Sequence, residues 1–500
     1  MAWCPKRSSF FESPQGLEFL HRLLYAIHLV LGQTNDGGIR SICWLLELSQ
    51  VDRFIASSYG AQRDIATSIE KSIEFFGEVE RTQLAQQMPK REITLCEDET
   101  FHPQICLVAI EPVSNYLILE QYATKRDAST WNAAVDESLK PFSVDVIQCV
   151  SDQASALISH AETALGVHHS PDLFHVQQEA SRATSAPLAR QSDKTEKALT
   201  DATASLNEMT KKLETFNENG PISIEELKLE QELREQVPVL QAVVSQRRQL
   251  FEVAHQRQRR AREARLGIGQ AYHPIDMQTG VPLKAKEVEA NLTIHFDTLD
   301  QVAGEARLSE SSTDRLAKAR RVLPSMVATI AFFWKMVASR VALLRVTPAI
   351  ENVWLNYLLP SFYLASVARR SRDSEVRKRL IELSRTLLEQ AHSRDGPLSQ
   401  LSDEEISKLD EHARLAAEYF QRSSSCVEGR NGQLSLRHHG LRTLSTRKLK
   451  VLGVLHNFVI KRADGTTAAN RFFGQEHRDL FEYLLENVPL PPRPRRKSKD

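Results

Sequence analysis

Hydrophobic positions recur at two different periods along this chain, and the changes of period mark its parts. Through residues 14–90 the apolar residues keep helical spacing, most clearly in LEFLHRLLYAIHLVL at 17–31. After NDGG (35–38) come IRSICWLLEL and VDRFIA, a break at SSYG (57–60), and then AQRDIATSIEKSIEFF. Helix, short glycine-bearing turn and helix make the outline of a helix-turn-helix unit. Residues 1–90 are therefore read as an all-α region, either a DNA-binding unit presenting Gln62, Arg63 and Ser68 to a groove or a plain helical bundle.

From residue 91 the period drops to two. ITLCE, ICLVAIEP (105–112) and NYLILEQYA (115–123) read as three strands of an antiparallel meander. DASTWNAAVDESL (127–139) returns to helical spacing. VDVIQCVSD is apolar almost without interruption, as expected of a strand buried on both faces. The helix QASALISHAETAL and a short last strand, HHSPDLFHV (168–176), complete the stretch.

Residues 185–422 then read as nearly all helix. Two long amphipathic segments flank the turn NENGP (217–221), which predicts an antiparallel coiled-coil hairpin over 187–265. LGIGQAYHPIDMQTG (266–280) interrupts the helices, which resume near 282–302, 308–345, 347–370, 372–392 and 402–422. VWLNYLLPSFYLASV (353–367) is the most apolar of them and is expected at the centre.

Charge changes the picture only locally. Lys plus Arg and Asp plus Glu both number 64, so the net charge is zero. Yet 247–265 carries Arg247, Arg248, Arg257, Arg259, Arg260, Arg262 and Arg265, and the tail PLPPRPRRKSKD is basic and proline-rich. Local fields of this kind are what a polyanion meets. The six cysteines show neither zinc-ligand spacing nor a disulfide-scaffold cluster, which suits reduced thiols in a cytoplasmic protein. No signal-peptide pattern opens the chain. The longest apolar run, around 323–345, is broken by Lys335 and Arg340 and falls short of the roughly 18 residues of a membrane span.

Three acidic residues carry the candidate chemistry. Asp98 closes the apolar alternation of ITLCEDET, Asp152 closes that of VDVIQCVSDQA, and Glu428 lies in the helical pattern SSSCVEGRNGQ (423–433). Two carboxylates at strand ends and one on a helix make a site for hard divalent cations able to hold a phosphodiester and its attacking oxygen in line. Asp is also a common residue at helix starts, so Asp152 has a structural use in the same turn. Glu97, Asp98 and Glu99 are adjacent, and side chains alternate along a strand. Asp98 shares a face with Thr94 and Cys96, Glu97 and Glu99 with Ile93 and Leu95.

These residues, in this order, resemble the Asp-Asp-Glu transposases of bacterial insertion sequences. The resemblance covers roughly 90–185 and 410–480. It implies a ribonuclease H-like α/β core (three antiparallel strands, helix, strand, helix, strand), here interrupted by a large all-α insertion. In such a core the first and fourth strands are neighbours, which would bring Asp98 and Asp152 together. The resemblance selects Asp98 as the ligand, with Glu97 as the alternative, and Glu428 as the third ligand, with Glu418 and Glu411 as alternatives. The 276 residues from Asp152 to Glu428 match members with a helical domain inserted before the last ligand.

Further implications follow. Asn431 and Ser435 would share the face of Glu428, and Arg430 and Arg437 would grip DNA phosphate. DLFHV (172–176) is similar to a segment such transposases carry after the second aspartate, so His175 is either a phosphate or ligand-positioning contact or a structural residue, and Asp172 is a further metal candidate. The segment 434–474, basic at Arg437, Arg442, Arg447, Lys448 and Lys450 and ending in RADGTTAANRFFG, is also family-like. Either it neutralises DNA backbone or it is a solvated face.

The chain is thus expected to hold an N-terminal region (1–90), two core parts (91–185 and 411–485), an insertion (186–410) and a tail (486–500). It is expected to bind Mg²⁺ or Mn²⁺ through Asp98, Asp152 and Glu428, and to act as a homodimer or larger oligomer on double-stranded element ends and target DNA. No membrane contact is expected, and the place of action would be the cytoplasm, at the nucleoid. Arg63, Arg257 and Arg260 join His175, Arg430, Asn431 and Arg437 as candidate DNA contacts. The rival readings are a ribonuclease H-like nuclease without strand transfer, an inactive DNA-binding derivative, and a coiled-coil scaffold, which would leave the strands of 91–176 without a use.

Overall fold

The structure, a computed structural model, describes residues 10–35, 37–101, 103–221, 223–441 and 444–491. Arg442 and most of the basic tail lie outside the described residues. The chain divides into two compact units, Met1–Asp172 with Gln421–Asp500, and Leu173–Phe420.

The first unit is built on one mixed sheet of five strands: β1 (Arg91–Phe101), β2 (Ile105–Glu111), β3 (Tyr116–Ala123), β4 (Val144–Ser151) and β5 (His168–Pro171). Their order across the sheet is β3-β2-β1-β4-β5. β1, β2 and β3 pair antiparallel as the meander, whereas β4 runs parallel to β1, and β5 parallel to β4. The helix Ala128–Leu139 makes the crossover that returns the chain parallel to β1. Both faces of β1 are covered: Leu95, Cys96 and Glu97 in succession are fully buried. That double burial is the reason the strands read as near-continuous apolar runs.

The N-terminal helices belong to this unit. Tyr59–Gln87, capped by the Ser58 hydroxyl, turns Ile65, Ile69, Ile73 and Phe76 into the core at helical spacing. Gln62, expected to face a DNA groove, is buried instead, donating to Ala56 O (2.6 Å) with its oxygen 2.8 Å from His28 Nε2. The Ser68 hydroxyl donates back to Asp64 O, and Arg63 is exposed beside Asp64. The segment around Phe472 and Phe473 closes the same core: Tyr116 stacks on Phe472 at 4.3 Å, with Phe142 and Phe473 edge-on.

The second unit is all helix. Its hairpin is longer than the sequence pattern suggested, Leu173–Asn219 against Ile224–Ala271, turning at Gly220 in the left-handed region (φ +66°). Contacts run antiparallel, from Arg234–Asn217 near the turn to Gln177–Arg265 at the open end. Three expectations change here. HHSPDLFHV is a strand only to Pro171, because Leu173 already begins the helix. The helical unit accordingly starts at Leu173 and not at 186. The first residues of the 266–280 interruption finish the second hairpin helix, which continues to Ala271. Trp354, Leu358, Leu359 and Leu364 are fully buried, so the segment 353–367 is central to the unit.

One stretch, Glu310–Leu344, is long and apolar enough to cross a membrane by length and composition alone, despite Lys335 and Arg340. Met326, Ile330, Phe333, Val337 and Val341 form a buried stripe at helical spacing. Such a stripe is also the pattern of a core helix that packs on one side.

Candidate metal centre

The parallel strands bring the acidic residues to one edge of the sheet. In the ladder, Cys96 pairs with Val150 and Val150 with Ser170. Asp98, Asp152 and Asp172 each lie two residues beyond that row, so all three share its face. The Asp172 amide continues the ladder by donating to Ser151 O at 2.9 Å. Strands in a sheet are about 4.8 Å apart, which makes Asp152 the middle of three neighbouring positions.

Asp98 is not at the end of its strand. β1 goes on to Phe101 against β2, but its parallel pairing with β4 stops at Cys96–Val150. Asp98 therefore stands where the sheet stops being paired on that side. Its Oδ1 accepts from the Glu99 amide and its Oδ2 from Asn431 Nδ2, both at 2.9 Å. Asp152 follows the last residue of β4 and accepts from the Ala154 amide at 2.8 Å, a local turn in which the aspartate bonds two residues ahead. The start of the helix Ser155–Ser159 is thus held from Asp152 without Asp152 being its cap.

Alternation gives Glu97, Asp98 and Glu99 different surroundings. Glu97 is fully buried on the opposite face, 3.2 Å from His160 Nε2 and 3.8 Å from the Cys149 thiol. Glu99 receives the indole N–H of Trp131 at 3.4 Å. Burial raises its carboxyl above the ordinary range, and the charge of Asp152 adds to the shift.

Glu428 reaches this edge across 276 residues because the chain before it is clamped to the sheet. Gln148 Nε2 donates to Gln421 O at 3.1 Å, and the Cys96 thiol lies 3.7 Å from Ser423 O. Asp172 takes both the Ser424 hydroxyl (2.6 Å) and its amide (3.3 Å). Gln148 also donates to Ser170 and accepts from Thr94, so the clamp is part of a buried polar floor across three strands. The helix Ser425–Leu441 starts from that clamp. Val427 and Leu434 enter the core, leaving Glu428 and Asn431, three residues apart, on a common face. Oxygens of Asp172 and Glu428 lie within 4.8 Å of each other. That close set extends to neither Asp98 nor Asp152. Glu411 and Glu418 belong to the helical unit, where Glu418 takes Ser366, Arg369 and Arg370.

Several expected DNA contacts have other uses. Arg430 is buried and forked onto Glu120 (2.6 and 2.7 Å), which removes it from any phosphate. Arg437 and Lys448 donate to main-chain carbonyls of residues 32–34, while Arg447 and Lys450 pair with Glu74. Arg257 and Arg260 share Glu305, at 3.5 and 2.9 Å. His175 stands in the first turn of Leu173–Asn219, three residues after Asp172.

Asp172, named from the sequence as a further metal candidate, shares this edge and holds Ser424. Its signal is its parity with Ser170 at the end of a short parallel strand. Ser424 and Gln148 carry no such signal, since serine and glutamine are equally at home on a surface.

Fold and site together define a mixed α/β unit with a carboxylate-lined sheet edge, interrupted by a helical unit. Residues 354–500, which include the Glu428 helix and the C-terminal core, are similar to the DUF6399 family, a family of unknown function. Neither the curated proteins nor the solved structures give a match.

Proposed function

We propose that this chain is a metal-dependent DNA transposase of the Asp-Asp-Glu class. The observation that carries the reading is the row Asp98, Asp152, Asp172 at one sheet edge, with Glu428 held over it by the clamp at Ser424. The order of meander, helix, strand, helix, strand, with the first and fourth strands side by side, supports a ribonuclease H-like core.

The donors are all carboxylate oxygens, which suits Mg²⁺ or Mn²⁺ and not a thiolate-seeking metal. Asp98, Asp152 and Glu428 would hold the ions, and Asp172 positions Glu428 through Ser424. Bound divalent ions supply charge neutralisation at the phosphodiester and a more acidic water. Asn431 fixes the orientation of Asp98, and the Thr94–Gln148–Ser170 floor keeps the strand ends in register. Water attacks phosphorus at an element end and the 3′-oxygen leaves as a hydroxyl. That hydroxyl then attacks a phosphodiester of the target and displaces a 3′-oxygen of the target strand, which leaves as a hydroxyl, so one P–O bond is exchanged for another. The protein forms no covalent bond with DNA, so its work is positioning.

The test is incubation of the full chain with Mg²⁺ and DNA carrying the sequences that flank its gene. Cleaved ends and strand-transfer products are expected, and both should fall to background in Asp98→Asn and in Asp152→Asn while DNA binding persists. Undiminished cleavage by either variant overturns the site. Cleavage without joined products would assign the chain to the nucleases instead.

A further inference from the structure

The helical unit holds a second charged feature that the carboxylate site does not use. Along Ile224–Ala271, His255, Arg259, Arg262 and Arg265 follow at intervals of four, three and three residues, so they share one face. That face lines a cavity of about 330 Å³, whose other wall includes Thr184 and Ser185 of the opposite hairpin helix. The volume is roughly ten times one water's share of the liquid.

The partners of these cations distinguish them from the other arginines of the hairpin. Arg257 and Arg260, on the other side of the helix, are neutralised by Glu305. Inside the cavity Arg265 donates to the hydroxyls of Thr184 (2.8 Å) and Ser185, which carry no charge. Burial and the neighbouring Arg262 both make its charged form less favourable than usual. Among the described residues Arg259 pairs with Glu263, 3.7 Å away with both side chains largely exposed. Like charges three or four residues apart destabilise a helix. Three guanidinium groups gathered around hydroxyls form a concave, cationic, donor-rich surface that an anion with several acceptor oxygens would relieve.

We propose that this cleft is a phosphate-binding site, taking a phosphodiester of a nucleic-acid backbone. It does not rest on the carboxylate site.

Binding is measured with the full chain in a chelator, so that no metal-dependent step contributes. The probes are a labelled short duplex of arbitrary sequence and inorganic pyrophosphate. The variant Arg259→Ala/Arg262→Ala removes two exposed cations of the cleft. Arg247→Ala/Arg248→Ala removes the same charge from the same helix elsewhere. The cleft variant should bind duplex at least about tenfold more weakly, and its plot of log affinity against log salt should flatten by about 1.8. The control variant should stay close to the unaltered chain. Loss of pyrophosphate binding in the cleft variant with unchanged duplex affinity also supports the site, and assigns it to a small phosphorylated molecule. Equal losses in the two variants, binding unchanged in the cleft variant, or no binding of either probe by the unaltered chain overturn it.

Discussion

The two units handle charge in opposite ways. In the sheet unit the carboxylates Asp98, Asp152, Asp172 and Glu428 gather at one edge, and the arginine nearest to them in sequence is turned away: Arg430, two residues past Glu428, is forked onto Glu120. In the helical unit the cations Arg259, Arg262 and Arg265 gather in a cleft, and a nearby carboxylate, Glu305, is taken by Arg257 and Arg260. In each unit a charge of the sign opposite to the cluster is paired off elsewhere, Arg430 with Glu120 and Glu305 with Arg257 and Arg260. A net charge of zero therefore describes neither of them. An anionic edge suits cations, and a cationic cleft suits phosphate.

The sharpest way to break this comparison inside the sheet unit is to undo the diversion of Arg430. Its side chain is 5% exposed and that of Glu120 is 3% exposed. Arg430→Met leaves a buried carboxylate without its partner, which should cost about 3–5 kcal/mol of stability. Adding Glu120→Leu should recover most of the loss, since an apolar pair of similar volume replaces the ions. Urea titration reads both. A single variant as stable as the unaltered chain would mean that the pair is idle, and Arg430 would return as a candidate for DNA.

Acid separates the two units next. Burial holds the imidazoles of His168, His169 and His456 down to about 4 in the sheet unit, with the charge of Arg430 adding to the effect at His456. These histidines are neutral in the folded protein, whereas in the unfolded chain they take up protons near pH 6.5. Below about 6.5 the unfolded state therefore binds more protons, and stability falls as the pH drops toward 4; above 6.5 the contribution is complete. At roughly 1.4 kcal/mol per pKa unit for each group, the sheet unit should lose several kcal/mol across this window. In the helical unit, His295 and His412 are shifted the same way but are only half-buried. Hydrogen exchange at pH 7.5 and pH 5 should show the strands opening first. Simultaneous loosening of both units would remove this distinction.

The smallest effect is expected at the exposed end of the comparison. Arg260→Ala removes one of two cations on Glu305 and leaves Arg257 in place, so thermal stability should change by less than about 1 kcal/mol. A larger drop would show that Glu305 ties the hairpin to the helix Ala285–Glu305 more firmly than a surface ion pair does.

Periodicity alone carried the strands of 91–123, the crossover helix, β4, the hairpin and the central apolar segment 353–367, because burial on one face or two leaves a repeat of two or 3.6 residues in the chain. It also placed Asp98 on the face of Thr94 and Cys96 and away from Glu97, since alternation along a strand is local geometry. The limits of β5, the helix start at Leu173 and the fate of the arginines were not legible in that way. An arginine reads the same in sequence whether it is solvated, as Arg247 is, or buried against Glu120, as Arg430 is. The partner lies 310 residues away, and only the folded chain brings the two together. The clamp that delivers Glu428 has the same character. Gln148 and Cys96 on two strands and Asp172 just past the end of a third grip residues 421–424 through hydrogen bonds, and hydrogen bonds between distant residues leave no period behind.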